Sequence, residues 1–269
     1  MLTVAEINDY NKQGFIVKKD FFSLEEISQF SKKLTQIIEF FLKKNNLHSQ
    51  EPLHDGFIQL DKINHTDIHT IYNIIRNSDA LSCFVSSKKV FDIIGQLMSN
   101  DVDSPIYNMY HVSRMDPPQD ERFLYKWHQE SFYTIPNTKS IQLWAPLVEK
   151  STKENGTIDV LIGSHIKEIQ HRIEKVPNGH EQKYLDDIDI KHKFETLKVE
   201  LSPRDAVFFH PYLIHKSNHN IGNKVRYSLV SHYLDPLSTD YDTDITDLSF
   251  AEYHRQRCIN YEEYVSKTI

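Results

Sequence analysis

Cysteine is nearly absent from this chain. Two residues in 269, Cys83 and Cys258, are too few for a disulfide framework and exclude a cysteine zinc site by count. The expectation is a pair of reduced thiols in a cytoplasmic protein. Glycine is scarce as well, at 7 residues, or about 3% where ~7% is usual. Tight turns then fall to Asn and Asp, which tolerate left-handed backbone, and each remaining glycine becomes informative about its position. No window approaches the roughly 18 consecutive apolar residues of a membrane-spanning helix. The opening MLTVAEINDYNKQGF has neither a basic n-region nor an apolar h-region, so no secretory signal is expected there. Nor is one sign of charge in large excess. The 31 basic and 38 acidic residues are well mixed and leave a formal net charge of −7, with no footprint for nucleic acid or an anionic membrane.

The chain is instead rich in rings, with 15 Phe, 14 Tyr and 15 His. Its length suits one large domain able to bury a full core. The first hundred residues read as helical support. Thr3 is placed to cap a short helix to about Asn11, followed by a strand at Phe15–Phe21. Ser23-Leu-Glu-Glu26 reads as a capping box opening a long helix to about Asn45, with Leu24, Ile27, Phe30, Leu34, Ile37, Ile38 and Phe41 at helical spacing. Further helices are expected near Ile68–Arg76 and Lys88–Ser99. From Pro105 the pattern becomes short apolar–polar alternations: IYNMYHV, FLYKWHQESFY, SIQLWAPLV, TIDVLIGSH, TLKVEL, DAVFFHP, YLIHKS and KVRYSLVSHYL. Such spacing predicts an all-β core, a sandwich or barrel, with flanking α-helices. The expected division is a single domain over 1–269: helical support over 1–104, the β core over 105–235, and a C-terminal helix within 236–269, at about Phe250–Val265. The charged segment 167–193 reads as an insertion, a lid or a plain surface connection.

Chemistry enters at residues 127–133, WHQESFY. On a strand, His128 and Glu130 share one face while Gln129 points to the other. An imidazole and a carboxylate so placed can hold one metal ion if a third ligand exists; a hydrogen-bonded pair is the other reading. The segment 212–234, YLIHKSNHNIGNKVRYSLVSHYL, reads as a hairpin about His219-Asn-Ile-Gly222. With a four-residue loop, His215 lies opposite Arg226 and Ser217 shares their face; an odd loop length shifts Arg226 off that face. His210, His219 and His232 are alternative third ligands, and His165 a more distant one. Two histidines and one carboxylate on one face of a metal make the facial triad of non-heme iron(II) oxygenases. A nearby arginine must meet an anion, and a guanidinium with an added hydroxyl donor suits a carboxylate. An α-keto acid with a distal carboxylate has both groups. Phe132, Tyr133, Lys126 and Arg114 are secondary candidates for substrate contact.

These residues together resemble the phytanoyl-CoA dioxygenase family. The resemblance rests on WHQE at 127–130, His215 with Ser at plus two and Arg at plus eleven, and the intervening IQLWAPLVEKSTKENGTIDVLIGSH. It covers about residues 105–235, with a looser match in the N-terminal helices. It implies a double-stranded β-helix (jelly-roll, cupin-like), with Fe(II), 2-oxoglutarate and O2 used to hydroxylate or otherwise oxidise a C–H bond of a small molecule, releasing succinate and CO2. It implies that His128, Glu130 and His215 are the metal ligands and that Arg226 and Ser217 contact 2-oxoglutarate. Gln129 and Trp144 match positions lining the cosubstrate pocket, and Tyr110 and His111 are candidates on the preceding strand. The strand argument, which turns Gln129 away from His128, conflicts with its assignment. The chain departs from the family at Glu130, where Asp is usual; glutamate keeps the anionic ligand, adds one methylene, and argues against a halogenating relative. The alternatives are a non-catalytic jelly-roll module that binds a small ligand, and a metal-dependent isomerase or hydrolase on the same barrel. Succinate formation separates the first reading from both. No basic cluster suggests a CoA nucleotide, which disfavours acyl-CoA esters, and no pattern specifies an oligomer.

Overall fold

The computed structural model describes residues 1–99, 104–122, 124–134, 139–176, 180–190, 192–238 and 250–268. Its N-terminal part is built by local signals. The capping boxes of Thr3 with Glu6 and Ser23 with Glu26 open α1 (Val4–Gln13) and α2 (Leu24–Lys44), on either side of β1 (Phe15–Lys18). Gly14, with φ +85°, ends α1 in the left-handed conformation. Four helices follow: α3 (Phe57–Ile63), α4 (His65–Asn77), α5 (Asp79–Val85) and α6 (Lys88–Met98). The sequence reading missed α3 and α5, each only seven residues long. Pieces of that length show too little periodicity to recognise, and tertiary packing makes them. No helix among the described residues is long and apolar enough to cross a membrane.

The β core follows as β2 (Tyr107–Asp116), β3 (Ser140–Pro146), β4 (Asp159–Leu161), β5 (Arg172–Lys175) and β6 (Glu181–Tyr184), the short α7 (Asp187–Ile190), then β7 (Thr196–Lys198), β8 (Ala206–Phe209), β9 (His215–Lys216) and β10 (Arg226–Leu234). Strands β1-β8-β3-β10-β2 form an antiparallel five-stranded sheet, and β7-β4-β9 a smaller one. This is the jelly-roll arrangement of two facing sheets. Alternation sorts the larger sheet's side chains. Leu143, Ala145, Phe208, Tyr227, Leu229 and Tyr233 face the helices and merge with Phe30, Leu34, Phe84 and Ile94 in one buried cluster. Phe15, Trp144, Val207 and Phe209 face the smaller sheet and pack on Ile158, Val160 and Leu213. Each such side chain contributes ~1.5–3 kcal/mol through burial, so both faces of the central strands are held.

Three expectations are corrected. Residues 212–234 do not form a hairpin: His215 pairs with Val160 and bridges to His128, while Arg226 pairs with Asp116. The chain crosses from one sheet to the other between them, which two strand-like runs around a polar turn cannot reveal. WHQESFY is extended only to Gln129, and Glu130–Phe132 is a turn of 3-10 helix. The C-terminal helix is two, α8 (Phe250–Gln256) and α9 (Tyr261–Thr268). The segment 167–193 contains the β5–β6 hairpin and α7, with residues 177–179 and 191 outside the described residues.

Candidate metal centre

His128 and His215 are brought together by backbone pairing. Each donates its N–H to the other's carbonyl, at 2.9 and 3.0 Å, so the two imidazoles stand side by side with ring centres 4.2 Å apart. Glu130 follows His128 by two residues, and its N–H is held by the Pro211 carbonyl at 2.9 Å. One Glu130 oxygen, Oε2, lies 3.7 Å from His128 Nε2 and 3.4 Å from His215 Nε2. The three side chains are buried, and one ligand atom from each falls within 4.8 Å of the others. Both rings are oriented from behind: His128 Nδ1 meets the Lys126 carbonyl at 2.8 Å, and His215 Nδ1 meets the Leu213 carbonyl at 2.9 Å. Those bonds protonate Nδ1 and turn each Nε2 lone pair toward Glu130, as in imidazoles that bind metals.

Electrostatics agree with that donor set. Burial disfavours imidazolium, so His128 and His232 fall below the usual histidine value. Burial works against ionisation of Glu130 too, but the imidazoles of His232, His128 and His215 around it outweigh that and hold it well below the carboxylate range. An ionised Glu130 beside a His128 ring that burial keeps from protonating suits a divalent cation. The residues present therefore fit a first-row metal bound by two imidazoles and one carboxylate.

Next to this triad lies a buried cluster of charges. Arg226, 2% exposed, donates to Asp116 Oδ2 at 2.8 Å. Arg114 donates to the other oxygen of Asp116 at 2.7 Å and to Ser217 Oγ at 3.2 Å. Burial would raise Asp116, but the two guanidiniums hold it below its usual value. A buried guanidinium such as Arg226 is a donor suited to a carboxylate. Ser217 and Arg226 thus share a neighbourhood, through Arg114 and Asp116 rather than through the expected hairpin. A groove of about 820 Å3, bounded in part by Tyr125, Trp127 and Tyr184, reaches this cluster at Ser217.

Other expected residues are placed differently. The Gln129 amide is engaged by backbone: it donates to the Lys167 carbonyl at 2.9 Å and to the Tyr212 carbonyl at 2.7 Å, and accepts from Ile169 N–H at 2.7 Å. It clamps the start of segment 167–193 behind the triad. The His111 ring nitrogens meet Asn108 Oδ1 and the Arg76 carbonyl, at 2.7 and 3.0 Å. Trp144 is on the interior face, opposite Val230 and packed with Phe15 and Val207. His165 bonds the Asn11 carbonyl at 3.1 Å, far along the chain from the triad's supports. His210 accepts from Tyr212 N–H at 3.1 Å, and His219 lies 3.7 Å from Glu121.

Sequence reasoning missed Asp116, Tyr125 and His171 as parts of the site. Tyr125 packs against His128 at 5.5 Å between ring centres. His171 accepts the Gln129 N–H at 2.8 Å and stacks on Phe132 at 4.0 Å. The register of β2 on β10 brings in Asp116, the return of segment 167–193 brings in His171, and Tyr125 is held by the Ser217 N–H to its carbonyl at 3.0 Å; none of these has a local signature. Tyr133 lies 5.1 Å from His128, and its hydroxyl both donates to and accepts from the Lys183 backbone, at 2.8 and 2.7 Å. The β5–β6 hairpin is thereby docked beside the triad.

Comparison with known proteins accords with this geometry. Residues 10–228 match the family described as Phytanoyl-CoA dioxygenase (PhyH). A Caenorhabditis elegans protein named "Probable phytanoyl-CoA dioxygenase" is 23% identical over 245 residues, covering 87% of this chain and 75% of that one. Among solved structures, EctD from S. alaskensis with 2-oxoglutarate and 5-hydroxyectoine is similar, with a TM-score of 0.61, 17% identity, and coverage of 87% of this chain and 76% of that one. SnoK, a non-heme alpha ketoglutarate dependent carbocyclase from nogalamycin biosynthesis, is similar with a TM-score of 0.59, 16% identity, and coverage of 92% and 91%. At these identities the structural likenesses show the jelly-roll fold.

Proposed function

We propose, on the premise that this chain belongs to the phytanoyl-CoA dioxygenase family of iron(II)- and 2-oxoglutarate-dependent oxygenases, that His128, Glu130 and His215 hold the iron and that Arg226 with Ser217 receives 2-oxoglutarate. The observation that carries the reading is the convergence of three buried ligand atoms within 4.8 Å, beside a buried arginine. Iron(II) bound there supplies O2 activation coupled to the oxidative decarboxylation of 2-oxoglutarate to succinate and CO2. The protein supplies placement and electrostatics. Lys126 and Leu213 carbonyls fix the two imidazoles, and Glu130 contributes the negative charge. The buried Arg226 guanidinium compensates the distal carboxylate of the cosubstrate, with Ser217 as an added donor. Tyr133, docked on the β5–β6 hairpin, shields His128 from water. The outcome is oxidation of a C–H bond of a small molecule, in its simplest form hydroxylation.

The test is anaerobic. Protein given Fe(II) and 2-oxoglutarate is expected to develop the weak visible charge-transfer band of the chelate, and Glu130→Ala to lose it. A folded parent protein with no band would overturn the assignment of the triad. Succinate release, measured with a screen of small molecules, then reports turnover.

A further inference from the structure

Beyond the triad, the interior face of the larger sheet carries polar side chains that the proposed chemistry does not use. His232 on β10 lies directly opposite Gln142 on β3 and Tyr110 on β2. Opposed residues share a face, with Cβ atoms roughly 5 Å apart. His232 Nε2 is 3.6 Å from Glu130 Oε1, the carboxylate oxygen turned away from the two triad histidines. This face therefore borders the metal centre. The ladder between β2 and β10 slips immediately after His232; such bulges re-aim side chains beside active sites. Arg76 lies 4.8 Å over the Tyr110 ring, and that ring is 5.5 Å from the His232 ring.

Among the described residues, both amide atoms of Gln142, both ring nitrogens of His232 and the hydroxyl of Ser140 are buried without a hydrogen-bond partner. Gln142 is 1% exposed and Ser140 4%. Ser140 is two residues from Gln142 on β3, hence on the same face. Buried polar groups in folded proteins are nearly always satisfied, and each orphan is destabilising. Three neighbouring residues in that condition, facing the metal centre, are arranged for a ligand rather than for the fold. An amide offers a donor and an acceptor, and so does an imidazole. Their complement is a group that itself both donates and accepts. A saturated acyl chain would leave every one of these atoms unpaired.

We propose that Ser140, Gln142 and His232 form a substrate subsite beside the metal that takes an uncharged hydrogen-bonding group, a hydroxyl or carboxamide, close to the carbon oxidised. This rests on the oxygenase reading for the word substrate, while the subsite itself can be measured without oxygen chemistry. The substrate is then a polyhydroxylated or amide-bearing small molecule, held in register by its polar group.

The experiment uses Zn(II)- and 2-oxoglutarate-loaded protein and saturation-transfer NMR with erythritol and acetamide as polar probes and hexanoate as an apolar one. The parent is expected to bind at least one polar probe in preference to hexanoate. Gln142→Leu and His232→Phe should each weaken that binding roughly tenfold, the loss of one to two hydrogen bonds. Because an unpaired buried amide is replaced by an apolar group, Gln142→Leu should keep or raise the parent's Tm. Three results would overturn the proposal: no polar probe bound by the parent, unchanged binding in both variants, or a Tm fall of several degrees in both, which would make the residues structural. Loss of zinc from His232→Phe would overturn it too, by making His232 a metal ligand. Failure of the oxygenase reading shows separately, as absence of the Fe(II)–2-oxoglutarate band in a parent that still binds the polar probe.

Discussion

At the scale of single residues, the site depends on a few buried charges with defined partners. Arg226 is 2% exposed, and its guanidinium faces Asp116 at 2.8 Å. A charge-assisted contact to a buried carboxylate is worth ~1.5–3 kcal/mol. Arg226→Leu is therefore expected to raise the concentration of 2-oxoglutarate needed for half-saturation by roughly 10- to 100-fold, with metal content unchanged. Titration of the charge-transfer band checks this, and an unchanged requirement would refute the cosubstrate assignment. His128 and Glu130 were legible in the sequence because residue type and a two-residue spacing state their chemistry, and His215 because of the Ser at plus two and Arg at plus eleven that the family resemblance supplies. Asp116 was not, because its meaning lies in being opposite Arg226 across two strands.

At the scale of elements, loops and clamps set those residues in place. Gln129 joins the extended stretch carrying His128 to the start of segment 167–193 through two hydrogen bonds and to the Tyr212 carbonyl through a third. Gln129→Leu leaves two carbonyls and one N–H without that partner. The expected loss is roughly 3 kcal/mol or more, read as a Tm fall of ~6–12 °C with little change in the 2-oxoglutarate requirement. The opposite pattern, stable protein with a raised requirement, would place Gln129 in the pocket. Gly156 tests the loop beside Ser217. Its φ is +84°, and a Cβ there would sit 2.4 Å from the Asn218 carbonyl and 2.6 Å from His219 backbone. Gly156→Ala should destabilise by more than ~1 kcal/mol and, by pushing on residues 218–219, raise the 2-oxoglutarate requirement. The Asn155-Gly156 pair could be read as a turn from sequence; that it supports the Ser217 loop could not.

For the whole molecule, acid is the expected weakness. Burial pushes His171 and His254 down to about 3 and His210 down to about 4, from an ordinary value of 6.5. Their unfolded forms take up protons below about pH 6.5, while the folded forms stay neutral until much lower pH. The unfolded state then binds more protons, so stability is fully present above the ordinary value and falls as pH drops toward the folded values. Each such histidine contributes a slope of up to ~1.4 kcal/mol per pH unit. Denaturant midpoints at pH 7.5 and pH 5 should differ accordingly, with the lower value at pH 5; equal midpoints would show that these rings are solvated.

By itself the sequence determined the long helices, through capping boxes and apolar periodicity, and the short-strand character of residues 105–235, since each is stated by residues near one another along the chain; it also offered the three residues proposed as metal donors, although His215 lies far along the chain from the other two. Tertiary structure alone decided which sheet each strand joins, that β9 and β10 separate rather than pair, and which partners the Gln129 amide and the His111 ring take. It also decided that His232, Gln142 and Ser140 share one unpaired polar face. The reason is physical: a side chain's face follows from local alternation, but its neighbours across a sheet follow from register, and register is chosen by the burial of the whole core.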